Sequence, residues 1–481
     1  MNYRMVGRVL GMVLLCLAGL MLVPLLAGII YGENVRPFVL CIALSLALGL
    51  ALASIKPDST ELFARDGFLA VGLAWMLMSL LGALPYILSG DIPDFVDALF
   101  ESVSGFSTTG ATVLTDVETL SRSCMLWRLL SQWIGGMGVL VFMLAVMPMS
   151  GEHSMHIVRA EFPGPTVGKL VPRVRETAKI LYLIYIGMTL LVFVLLACGG
   201  MSIYEALGHA FASAGTGGFS TRNASLGEFN SLYIEVVATV FELLFSVNFY
   251  IYYCILTGRA KSALRNEELH CFIGIVLFAV VSIAINLYSR GYYGSIATAL
   301  HQAFFNVSMS ISTSSFATVD YTLWPQYSKW MLLMLMLIGG CAGSTAGGLK
   351  VSRVMLLFKS CTIEVKKMLR PRCVENVRLD GKPVDAQTVY NALTYFTFYI
   401  IIMLIAGLIV SLDGLDFTTN FTAALSCLSN VGPGLSLVGP TGSFAIFSPL
   451  SKIVLMICML LGRLEIFPLL LLFVPFTWRW K

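Results

Sequence analysis

Long apolar stretches recur along this chain in pairs, and after the first pair a short semi-polar segment parts the two members. Membrane spans are predicted at 7–31, 36–55, 68–90, 124–149, 179–199, 231–257, 270–290, 330–357, 388–411 and 450–477. Apolar runs of this length carry a helix across the hydrocarbon layer. The segments 94–107, 202–214, 297–312 and 416–429 are shorter, of the length class that enters the layer and turns back. The predicted fold class is an all-α polytopic membrane protein. Two leading transmembrane helices precede four pseudo-repeated units of span, short helix and span, set around a central path. These units divide the chain into a leading pair, 1–57, and repeats at 58–150, 151–258, 259–358 and 359–481.

One short phrase closes each short segment: Thr108, Thr109 and Gly110; Thr216, Gly217 and Gly218; Thr313, Ser314 and Ser315; Asn430, Val431 and Gly432. Irregular backbone persists inside a bilayer only where it is buried in protein or lines a watery cavity. Four such loops meeting on one axis would form rings of carbonyl oxygens that replace a cation's hydration shell. The negative dipole ends of the short helices would face the same path. Glycine suits a loop that passes through φ > 0 to turn successive carbonyls inward. The phrases are therefore predicted to form a cation-selectivity filter in a central ion pore. Ser315 stands where the other copies have glycine. Either it accepts the left-handed turn at a cost of ~1–2 kcal/mol, or its carbonyl turns away and the hydroxyl substitutes.

The second span of the third repeat is interrupted by Gly339, Gly340, Cys341, Ala342, Gly343, Ser344, Thr345, Ala346, Gly347 and Gly348, followed by Leu349 and Lys350. Each glycine costs a helix about 1 kcal/mol relative to alanine. The break is predicted to lie mid-membrane beneath the filter, where a broken helix lines a substrate path and can gate it. Gly339 and Gly343 also have the spacing of a helix-packing face. A Walker loop is excluded, because the G-x-x-x-x-G-K order and a preceding strand are lacking. Arg463 falls half-way along the last span, where a charge is costly unless it faces the protein interior. It is predicted to sit under the filter against carbonyls of the broken helix, holding the loop and repelling a resident cation; a structural pairing with Glu465 is the alternative.

Composition agrees with a membrane protein: 57% hydrophobic, 12% charged, with mean hydropathy +0.84. Arg4 and Arg8 ahead of the first span resemble a signal peptide, but no small-residue cleavage site follows, so a retained helix is expected. Basic residues gather in alternate loops, most densely from Lys359 through Lys366, Lys367, Arg370, Arg372 and Arg378 to Lys382. The opposite loops carry Asp91, Asp94, Asp97, Asp116 and Glu118. Both termini are therefore predicted in the cytoplasm, with the filter loops opening outward. The net charge of +4 gives no case for nucleic acid. Cysteines such as Cys16, Cys41, Cys198, Cys254, Cys271 and Cys458 read as small core residues. Glu101 and Glu205 could enrich cations at the mouth, and Glu242 and Asn248 lie within a span; backbone bonding is the plainer reading for all four. His153 and His156 fall in a polar loop without further metal ligands.

These residues resemble the Trk/Ktr/HKT superfamily of potassium transporters, in particular the bacterial TrkH type, over essentially the whole chain. The specific features are residues 339–350, Trp133 to Gly138, Arg159-Ala160-Glu161 with Pro163-Gly164-Pro165, and Gly462-Arg463-Leu464-Glu465. Filter copies one, two and four fit the family pattern; Ser315 departs from its usual glycine. The resemblance implies four units around one path, an intramembrane gating loop at 339–348, and an arginine beneath it matching Arg463. It also implies a homodimer with one pore per subunit and a cytosolic TrkA-like ring of nucleotide-binding Rossmann domains.

The expected function is potassium uptake across a bacterial inner membrane by channel-like conduction, with K+ as the transported ion and no organic cofactor or catalysis in this chain. Ser315 keeps open a K+/Na+ or K+/H+ symporter, or a less selective monovalent cation transporter. A membrane enzyme is disfavoured because the spans hold no catalytic constellation. The ion-binding subunit of an ATP-driven pump would need a separate ATPase partner.

Overall fold

The computed structural model describes residues 2–56, 64–138, 174–370 and 375–474. His153, His156, the motif at 159–165 and the later part of the expected 124–149 span lie outside these. The leading pair is α1 (Tyr3–Leu20), continued by α2 (Leu22–Ile30), and α3 (Arg36–Ala53). Helices α1 and α3 approach so closely that a Cβ on Gly11 would fall 2.4 Å from the backbone nitrogen of Ala53, the small-residue contact that joins helices in lipid.

Repeat one comprises α4 (Ala64–Ser89), the short α5 (Phe95–Phe106) and α6 (Arg122–Met137). Repeat two comprises α7 (Val174–Cys198), the short α8 (Ile203–Ala214), α9 (Leu232–Phe245) and α10 (Phe249–Leu256), and α11 (Ala260–Ala263) follows it. Repeat three comprises α12 (Glu267–Ser289), the short α13 (Ile296–Ile311), α14 (Gln326–Ile338) and α15 (Val351–Leu369). A hairpin of β1 (Arg378–Leu379) and β2 (Lys382–Pro383) leads into repeat four: α16 (Ala386–Val410), the short α17 (Phe417–Ser429), α18 (Pro449–Arg463) and α19 (Phe467–Phe473).

Each short helix starts at a side-chain cap that satisfies otherwise orphaned N–H groups. Asp94 accepts from Asp97 N at 3.0 Å, Ser295 from Ala297 N at 3.2 Å and Asp416 from Thr419 N at 3.0 Å, while Ser202 forms a capping box with Glu205. The Thr419 bonds also hold the Asp416 carboxyl below the usual range.

The described residues differ from the ten expected spans in a consistent way. Six helices are long and apolar enough to cross a membrane, and the pair α9 and α10, bent by 89°, brings the number to seven. The shortfall falls on the second helices of the repeats; three of them are interrupted within the described residues, and the described part of the fourth, α6, ends at Gly138. Helix α6 ends at Gly138 with φ 75°; α9 stops at Ser246; α14 gives way to the glycine-rich stretch; and α18 ends before Glu465 and Ile466, at φ 56° and 65°. The continuous spans expected at 231–257 and 450–477 are thus each two helices.

Candidate functional site

The four phrases adopt one local structure at the ends of α5, α8, α13 and α17. Their first residues, Thr108, Thr216, Thr313 and Asn430, take the left-handed conformation at φ 55°, 52°, 57° and 56°. The next N–H reaches back five residues: Thr109 to Ser104 O, Gly217 to Ala212 O, Ser314 to Met309 O and Val431 to Ser426 O, each at 2.9 Å. This is a Schellman-type closure, which normally uses glycine at the left-handed position. Threonine there is strained, and such strain concentrates at functional sites. The sequence argument assigned positive φ to the third residue, and Gly110, Gly218 and Gly432 do have it, at 78°, 70° and 95°. It missed the first.

Ser315 does not take that conformation. Its hydroxyl lies 2.8 Å from both Thr109 O and Val431 O, carbonyls of repeats one and four. With one proton, it donates to one carbonyl at a time. Of the two alternatives posed by the sequence, the left-handed turn is not taken; the hydroxyl instead bonds carbonyls of the neighbouring loops. A Cβ on Gly110 or Gly432 would fall 2.0 or 2.1 Å from this oxygen, and one on Gly218 would fall 2.2 Å from Ser315 N. All four loops therefore meet around Ser315. Asn430 reinforces the meeting by donating to Thr109 Oγ1 at 3.0 Å and Met459 O at 2.8 Å.

The 339–348 stretch passes beneath these loops and touches repeats two, three and four, while Arg463 ties it to repeat one. Gly347 N donates to Thr313 Oγ1 at 2.6 Å and Gly348 N to Ser429 O at 2.9 Å. Cys341 N and Thr345 N take Ser246 O and Phe245 O, the carbonyls freed where α9 stops, at 2.9 and 3.3 Å. A Cβ on Gly347 would fall 2.2 Å from Ser429 O. From the last repeat, Arg463 donates to Thr345 O at 2.7 Å and to Gly135 O and Gly136 O, both at 2.5 Å. Glu465 is not its partner: that carboxylate binds Arg353 at 2.5 and 2.9 Å. Lys350, with φ 75°, bonds Ala346 O. Between the stretch, Gly136 to Gly138, Lys350 and Arg463 lies a cavity of about 30 Å³, the space of roughly one water.

Glu268, at the start of α12, is a fastening the sequence reading missed. One of its buried carboxylate oxygens accepts from Ala342 N at 2.7 Å, within the break, and from Ser352 N at 3.1 Å, just past it. Its neighbour Glu267 bonds Lys359, and Glu267 N donates to Asp380 of the hairpin at 2.7 Å. The available signal was a carboxylate pair opening an apolar span. Glu268→Ala leaves two buried N–H groups unsatisfied, at about 1–3 kcal/mol each. The expected result is faster amide exchange across 339–353, read by mass spectrometry; unchanged exchange would mean the loop is held without Glu268.

The other polar candidates are structural. Glu101 is buried against Arg128 at 2.5 Å and holds Val113 N at 3.2 Å. It is behind the loops rather than at a mouth. Glu205 binds Arg222 at 2.7 Å; burial would raise its carboxyl, but bonds from Ser202 and Arg222 bring it below the usual range. Asn248 caps α10 through Tyr250 N at 2.9 Å. The cysteines among the described residues form no disulfide, and no metal-binding cluster occurs among them. Gln132 also escaped notice: its Oε1 accepts from Phe219 N at 3.0 Å and braces the second loop.

Residues 33–479 match the family model for TrkH, described as cation transport protein. The chain is 37% identical to the Trk system potassium uptake protein TrkH of Salmonella typhimurium and of Escherichia coli K12, covering all of both chains in each case. It is similar to the crystal structure of the potassium transporter TrkH from Vibrio parahaemolyticus, with TM-score 0.90, 33% identity and full coverage of both chains.

Proposed function

Because the chain belongs to the TrkH family of cation transport proteins, a potassium-uptake family of multi-pass membrane proteins and not an enzyme family, we propose that it conducts K+ through a channel-like central pore. The four phrases select the ion, and the 339–348 loop, clamped by Arg463, closes the path. The observation that carries this reading is the meeting of all four loops around Ser315, with three glycines that cannot accept a side chain. The small cavity under the loop, walled by Lys350 and Arg463, suits a closed state, since two cationic side chains oppose a resident cation.

The same reading makes the protein a homodimer in a bacterial inner membrane, with both termini cytoplasmic. Opening is controlled by a cytosolic TrkA-like nucleotide-binding ring. The hairpin bonded to Glu267 lies one residue from Glu268, and so offers such a partner a handle on the loop.

The test is cation flux through purified protein in liposomes, comparing K+, Rb+, Na+ and Li+, with Ser315→Gly alongside. Downhill K+ and Rb+ flux well above Na+, with no co-ion required, is expected. Flux that needs a second ion gradient would overturn conduction in favour of symport. Ser315 supports a second reading, a less selective cation path, because its hydroxyl occupies the ring that carbonyls would otherwise complete. On that reading Ser315→Gly raises the K+/Na+ ratio by about tenfold, equivalent to 1.4 kcal/mol of discrimination.

A further inference from the structure

Glu242 takes no part in the filter or the gate, yet it lies between them. It is one turn before the break in α9, with no exposed surface, and the serine hydroxyls beside its carboxylate fall short of good hydrogen-bond geometry. The side chains facing it are the hydroxyls of Ser213, at the end of α8, and of Ser312 and Ser314, in the third loop. Those of Ser213 and Ser314 are themselves without partners.

The titratable groups on the elements packed against α9 are directed elsewhere. His301 of α13 pairs with Glu235 at 3.3 Å. On α8, His209 bonds Ser220 at 2.9 Å and Glu205 bonds Arg222, which also meets Glu228 at 3.7 Å. Tyr185 of α7 donates to Trp133 O at 2.9 Å. Among the described residues, no basic group faces the carboxylate.

An ionised carboxylate so placed carries several kcal/mol of uncompensated desolvation. We propose that Glu242 is a proton-binding site, held as a neutral carboxylic acid that links the third filter loop to the short helix of repeat two. Turned toward these hydroxyls, the acid O–H donates to Ser314 Oγ and the acid carbonyl accepts from Ser213, so that one proton satisfies oxygens that otherwise lack partners. A sodium ion is less suited. The neighbouring carbonyls that would complete its shell are engaged: Glu242 O by Ser246 N and Oγ, and Met309 O by Ser314 N and Ser312 Oγ. Loss of the proton would place a charge beside Ser314, one residue from Ser315, and displace the third loop. That consequence rests on the filter reading; the proton itself does not.

The experiment is infrared spectroscopy of purified protein in liposomes, wild type minus Glu242→Gln, with flux measured on the same preparations. A carboxylic-acid carbonyl band present in wild type and absent from the variant is expected, whether or not the protein conducts. The neutral amide of the variant should leave the K+/Na+ ratio within about twofold, whereas Glu242→Met lowers it by about fivefold, as for one lost net hydrogen bond. Loss of carboxylate bands instead of the acid band overturns the proposal. So does thermal stabilisation by Na+, relative to choline, in wild type but not in Glu242→Gln, which would make the site a cation site. An acid band with unchanged selectivity in Glu242→Met overturns the link to the loop.

Discussion

Arg463→Ala is expected to raise K+ and Rb+ flux about a hundredfold over the wild-type basal level in liposomes without a regulatory partner. The guanidinium ties three backbone carbonyls, from the glycine-rich loop and from the end of α6, in one fork. Hydrogen bonds to a charged group contribute about 1.5–3 kcal/mol each. Water entering the enlarged cavity would recover part of this, leaving roughly 2.7 kcal/mol, the equivalent of a hundredfold shift between closed and open forms. On the proposed reading, the substitution also removes a positive charge from the path. Arg463→Lys keeps that charge but not the planar fork, so its flux should be intermediate. Basal flux unchanged in the alanine variant would mean that Lys350, Glu268 and the backbone bonds close the loop unaided.

The largest stability loss is expected from Arg128→Ala. Arg128 is 2% exposed and Glu101 fully buried; their contact is 2.5 Å, and the guanidinium lies 3.4 Å above the ring of Phe219. It also donates to Ser220 O at 3.3 Å, so it joins repeat one to the chain just after the second filter phrase. Breaking a buried pair by removing one partner typically costs about 3–5 kcal/mol, because a charge is left behind. Thermal unfolding in detergent should show a strongly lowered midpoint, and the variant should yield less monodisperse protein. Replacing both residues with apolar ones of similar volume, Arg128→Met with Glu101→Leu, should restore most of the loss. No recovery in the double variant would indicate that the Thr112 and Val113 bonds to Glu101 matter more than the charge.

The all-helical architecture was readable because apolar length and spacing are local properties, and so were the repeated phrases, the glycine stretch and the lone arginine in the last span. What was not readable depends on contacts between repeats. The stop in α9 at Ser246 has no glycine or proline to announce it; it leaves Phe245 O and Ser246 O for the N–H groups of Thr345 and Cys341, about a hundred residues away. The left-handed Ile466 runs against its β-branched preference. Arg463 reaches Gly135 across 328 positions of sequence, and Asn430 reaches Thr109 across 321. Glu268 was passed over, because nothing local marks the loop it holds.

The left-handed threonines bear on how such a molecule comes to be assembled. A β-branched residue held there costs about 1–2 kcal/mol, and there are three, with Asn430, which tolerates the conformation better, in the fourth copy. Apart from the Thr313–Gly347 bond within repeat three, what opposes that cost comes from other repeats. Thr109 is met by Asn430, Thr313 by Gly347, and the carbonyls of loops one and four by Ser315. These partners enter the membrane at different times during synthesis. Early repeats should therefore insert with relaxed loops, and the ring should close only when the final helices arrive. On the proposed pore reading, a nascent chain halted before repeat four would be anchored in the bilayer without a finished pore, so a half-made copy would not leak ions.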